Sequence, residues 1–161
     1  MSKENDELYN VKITIEEAKV ILRERIEKGA DCPCCNQFVK KYKRKLNSGM
    51  AITLARIYQH HRQEFIDVKD FLRLHKFTNS HDWTLLKHWK FLKTDADGRK
   101  WQITDVGVFW LLTENAKTWS HISMYNNKFM GFSKETITFK KALSNHFDYD
   151  ELMNALGGET S

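Results

Sequence analysis

The stretch WTLLKHWKFLKTDADGRKWQITDVGVFWL, from Trp83 to Leu111, constrains the fold most, because its apolar spacing switches from helix to strand and back within one short segment. Leu85, Leu86, Trp89 and Leu92 recur at helical spacing and predict a helix over His81–Trp89. Lys93–Lys100 is polar around Asp97-Gly98, a pair that favours a tight two-residue reversal between strands. Trp101 and Ile103 then alternate with Gln102 and Thr104, as a half-buried strand requires. Thr104-Asp105 can cap a further helix whose apolar residues are Val106, Phe109, Trp110 and Leu112.

Upstream, Ser48–His61 reads as a first helix, Phe65–Val68 as a short strand and Lys69–His75 as a second helix. A turn follows over Lys76–Ser80, with Ser80 as N-cap of the next helix. This order of elements resembles the winged helix-turn-helix proteins across residues 46–115. The resemblance implies that His81–Trp89 is a recognition helix and the hairpin after it a wing. The expected fold class is α+β, mainly helical: a winged helix-turn-helix core with an N-terminal helix plus cysteine turn and a C-terminal hairpin with short helices. Three segments are expected within one domain: 1–45, 46–115 and 116–161.

The N-terminal helix starts at Thr14, where Thr14-Ile15-Glu16-Glu17 has capping-box spacing, and stops near Gly29, with Ala18, Leu22 and Ile26 as its packing stripe. Near the other end, Ser120–Phe132 reads as a hairpin turning at Asn126-Asn127. Thr138 or Ser133 caps a following helix, and Asp148 caps the last one over Glu151–Leu156.

Positive charge is local. The formal net charge is +5, yet residues 36–63 hold seven Lys and Arg and no Asp or Glu. Lys40, Lys41, Lys43, Arg44 and Lys45 form a run suited to DNA phosphates, whose binding would depend steeply on salt. Phe38, Tyr42 and Leu46 interleave with it every four residues, which reads as a helical packing stripe. On the recognition helix, steps of 100° place Thr84 and Lys87 opposite Leu85, Leu86 and Trp89, flanked by Trp83 and His88. His81 is placed to reach a phosphate, Asp82 to cap or brace the helix, and Arg99 and Lys100 to reach backbone or minor groove from the wing. No Arg, Asn or Gln on this helix offers a bidentate base contact.

Cys32-Pro33-Cys34-Cys35 has the form of half a zinc ribbon, with Cys32 and Cys35 as the facing thiolates. Completion requires Cys34 with His60 or His61, or a second subunit; otherwise the turn is a knuckle without metal. Zinc is the only cofactor the residues suggest. The run C-P-x-C-x-Q followed by YKRKLNS is similar to a segment of small proteins encoded by bacteriophages and prophages, and that resemblance brings no catalytic residues with it.

No Walker loop, G-x-S-x-G or H-E-x-x-H occurs, so the sequence reads as that of a non-enzyme. His60-His61 with the cysteines would suit a metal-dependent nuclease, but adjacent histidines diverge by about 100° on a helix. Without an apolar run of about 20 residues, the protein is expected to be soluble and cytoplasmic, in the bacterial host if phage-encoded. The sequence thus points to a double-stranded DNA-binding transcriptional regulator, able to form a homodimer. The alternative is a phage interaction module docking on a host protein.

Overall fold

Backbone pairing, not helical spacing, organises the segment around the basic run. The computed structural model describes residues 12–77 and 81–157. Chain contacts divide it into two units, one running to Arg44 and including Ser123–Gly131, the other comprising Lys45–Ile122 and Phe132 onward. The expected 116–161 segment is therefore shared between units.

In the first unit, α1 (Ile15–Arg25) carries the full capping box: Thr14 Oγ1 accepts the Glu17 N–H, and Glu17 Oε2 accepts the Thr14 N–H. Ala18 is buried, whereas Leu22 and Ile26 are half-buried. The chain leaves the helix through Gly29 (φ +95°), whose missing side chain admits the Phe38 ring: a Cβ there would fall 2.5 Å from Phe38 Cζ. β1 (Ala30–Asp31) and β2 (Phe38–Val39) then pair antiparallel around the cysteine turn.

β3 (Tyr42–Lys45) lines up with β7 (His121–Tyr125) and β8 (Lys128–Phe132) in the order β3-β7-β8. Asn126 and Asn127, both at positive φ, make the anticipated two-residue turn. The expected stripe of Phe38, Tyr42 and Leu46 is corrected here. Leu46 is buried, but Phe38 and Tyr42 lie on strands and are 56% and 54% exposed. Sheet pairing satisfied the backbone of this segment and overrode its four-residue spacing.

The core of the second unit centres on α2 (Ser48–His61), capped by Asn47, whose Oδ1 accepts the Met50 N–H at 2.9 Å. Met50, Ala51, Leu54, Ala55 and Ile57 are buried along it. α3 (Val68–Leu74) begins at the Asp67 cap, so the strand expected over Phe65–Val68 shrinks to one bridge between Ile66 and Trp101. Ser80, the expected cap of the next helix, lies outside the described residues.

His81–Trp89 is helical as expected but wound as a 3₁₀ helix. At three residues per turn, side chains eclipse at i and i+3. Trp83, Leu86 and Trp89 consequently share the buried face, and Leu85 is only half-buried. β4 (Leu92–Thr94) and β5 (Trp101–Ile103) pair antiparallel as anticipated. Their connection is longer than the expected two-residue reversal, because Asp95 N–H donates to Lys100 O at 2.9 Å and closes a loop with Asp97-Gly98 at its tip.

Thr104 caps α4 (Asp105–Leu112), its Oγ1 accepting the Gly107 N–H. The inward face is Gly107, Trp110 and Leu111; Val106 and Phe109, expected inside, are exposed, as is Leu112. Gly107 sets this rotation by lying against the Phe91 backbone. β6 (Lys117–Trp119) pairs with β9 (Thr136–Thr138), a pairing that local sequence patterns do not indicate. Thr138 then caps α5 (Phe139–Leu143), and Asp148 caps the turn entering α6 (Tyr149–Gly157). Among the described residues no helix is long and apolar enough to cross a membrane.

Candidate nucleic-acid interface

The 3₁₀ winding that buries Trp83, Leu86 and Trp89 presents a second row outward: His81, Thr84 and Lys87. His81, Lys87 and Lys90 are exposed, and the Thr84 hydroxyl donates to His81 O at 2.9 Å. Trp83 leaves the predicted groove-facing set: it is 2% exposed, packs edge-on against Trp101 and, among the described residues, its indole N–H is unpartnered. Lys90 lies one residue past the helix, at φ +65°, outside that row. His88 is half-buried, and its imidazole is pushed below its ordinary range by desolvation, then by Lys87 and Lys90. Its charged form is thereby disfavoured. Asp82 faces the other way and accepts from the Asn47 side-chain amide.

On the hairpin loop, Arg99 and Lys100 are exposed. The Asp95 carboxylate folds back into the loop, accepting the N–H groups of Arg99 at 3.0 Å and Lys100 at 3.2 Å. These bonds, that from Lys100 foremost, hold its pKa below the usual carboxylate range. The Asp95 carboxylate thus spends its charge within the loop. Between the loop and the 3₁₀ helix lies a cleft of about 410 Å³, lined by Asp67, Lys69, Trp83, Thr84, Arg99 and Trp101 among others.

No family model, curated protein or solved structure matches the chain.

The basic run is divided: Lys40, Lys41, Lys43 and Arg44 belong to the first unit and Lys45 to the second. Lys43, Arg44 and Lys45 are exposed on β3, whereas Lys41 is half-buried and holds Glu27 at 3.0 Å, which offsets its charge. Lys40 Nζ lies 5.7 Å from the centroid of the Tyr42 ring.

The cysteine turn is a hairpin loop closed by Cys32 N–H to Gln37 O and Asn36 N–H to Cys32 O, both 2.8 Å, with Asn36 at φ +60°. The Cys32 thiol is lowered from its ordinary range by backbone N–H groups of Cys34, then Cys35, aimed at its sulfur. Cys35 is exposed, and so is Cys34. Among the described residues no three His, Cys, Asp or Glu side chains converge as a metal cluster. His60, one proposed completing ligand, rests against the rings of Phe71 and His75, and His61 Nδ1 lies 3.9 Å from Glu64.

Proposed function

We propose that the chain binds double-stranded DNA through a winged-helix surface in its second unit, and acts as a phage-type transcriptional regulator without catalysing a reaction. The outward row His81, Thr84 and Lys87, with exposed Lys90 just past its end and a buried Trp83-Leu86-Trp89 row behind it, carries this reading. A rigid cationic ridge of this kind suits the major groove, with Arg99 and Lys100 of the hairpin loop for adjacent phosphates. Lys87 is the base-reading candidate and Lys90 a phosphate contact. The test is binding to random duplex DNA at two salt concentrations. A steep loss of affinity with salt supports the reading, and no binding at low salt overturns it.

A second reading has its own support. Val106, Phe109 and Leu112 on α4 are 55%, 62% and 37% exposed and lie at three-residue intervals on one helix. Such a stripe favours a protein contact, either a host protein or a second copy in a homodimer. Pull-down under the same low-salt conditions separates it from DNA binding.

For the cysteine turn, we propose that Cys32 and Cys35 hold zinc. Backbone N–H groups directed at a sulfur stabilise the thiolate that a soft metal needs. The remaining ligands come from outside this turn.

A further inference from the structure

In the first unit, three aromatic side chains surround a concavity of about 200 Å³: Phe38 on β2, Tyr42 on β3 and Tyr125 at the end of β7, with Gln37, Lys40 and Asn126 completing it. Aromatic rings normally bury their faces, but Phe38 and Tyr42 leave more than half their surface to solvent. They are nevertheless braced. The Phe38 ring lies across the bare backbone of Gly29, and the Tyr42 ring sits beneath the Lys40 ammonium. Phosphate chemistry is at hand on the same strand, where Lys43 and Arg44 are exposed, and no Asp or Glu occurs between Cys32 and Gln63. Of the neighbouring acids, Glu27 is paired with Lys41, and Asp31 stands opposite Phe38 in the β1–β2 ladder, which directs a polyanion toward the lysine side.

We propose that the concavity formed by Phe38, Tyr42 and Tyr125 is a nucleobase-stacking subsite for single-stranded nucleic acid. A duplex hides its base faces, whereas a single strand offers each face to a ring while its backbone follows the basic strand. The Gln37 and Asn126 amides can donate to or accept from the base edge. The proposed duplex surface belongs to the other unit.

Fluorescence anisotropy with labelled oligothymidylate, oligouridylate and a random duplex tests it on the full chain. Tyr42→Ala and Phe38→Ala should each weaken single-strand binding by roughly fivefold to a hundredfold, while Tyr42→Trp preserves it and duplex affinity stays within about twofold. Both positions are exposed, and an unchanged thermal transition for each variant excludes unfolding as the cause. Tighter binding of one oligonucleotide assigns the subsite to DNA or to RNA. Failure of both oligonucleotides to bind, or equal losses on single strand and duplex, overturns the proposal. A parent protein that binds the oligonucleotides but not the duplex counts against the winged-helix reading and supports the subsite.

Discussion

A side chain on Gly107 would collide with the backbone of Phe91: an added Cβ falls 2.8 Å from the Phe91 carbonyl oxygen and 3.1 Å from Ile103 Cγ2. The same carbonyl accepts the Thr104 N–H at 2.9 Å, so it is fixed from both sides of the helix start. Gly107→Ala should therefore destabilise the protein by about 1–3 kcal/mol, since backbone gives way less readily than a flexible side chain. A lowered urea midpoint with unchanged slope is the expected result, and an unchanged midpoint would contradict the packing.

Thr104 joins two elements through one hydroxyl, accepting the Gly107 N–H and donating to the Lys90 carbonyl. Thr104→Ala should cost about 1–2 kcal/mol, and Thr104→Ser should recover most of it. Equal losses for the two substitutions would mean that the methyl group, not the cap, matters.

Asp95 gives the hairpin loop an acid limit. Its folded pKa is depressed by the loop N–H groups, so its contribution is complete above the unfolded carboxylate value of about 4 and is lost as pH falls through the folded pKa. Asp95→Asn should flatten the part of the stability-pH curve that lies below about pH 4. A curve parallel to that of the parent protein would remove this role.

The depressed pKa of His88 follows first from desolvation and then from Lys87 and Lys90. In Lys87→Ala the imidazole should titrate at higher pH by NMR while staying below the ordinary histidine range, because burial persists. Its folded pKa being depressed, the associated stability is present above about pH 6.5 and lost as pH falls through the folded value. No upward shift in Lys87→Ala would show that Lys87 points elsewhere.

On DNA, Lys87→Ala should weaken a preferred site more than random duplex, whereas Lys90→Ala should weaken both alike and reduce the salt slope by about one. Identical behaviour of the two variants would take base reading away from the 3₁₀ helix. Zinc content by elemental analysis should fall in Cys32→Ser and Cys35→Ser and persist in Cys34→Ser.

Much of this architecture is legible because it is written locally. Thr14, Thr104, Thr138 and Asp148 cap the turns assigned to them, and Asn126-Asn127 reverses the predicted hairpin, since a cap or turn needs only neighbours in sequence. What local patterns miss depends on partners far along the chain or on a change of period. The exposure of Phe38 and Tyr42 follows from strand pairing, the outward turn of Phe109 from Gly107 meeting Phe91, and the burial of Trp83 from 3₁₀ winding. The outward row is partly legible at 3.6 residues per turn: that period finds Thr84 and Lys87 and wrongly includes Trp83.

The three-residue turn of His81–Trp89 also governs which length changes this segment tolerates. Removing or adding a whole triplet keeps indoles beneath and ammonium groups above, while a single-residue insertion rotates all that follows by about 120° and drives Lys87 toward the interior. Natural variants of this segment should accordingly differ in length by triplets.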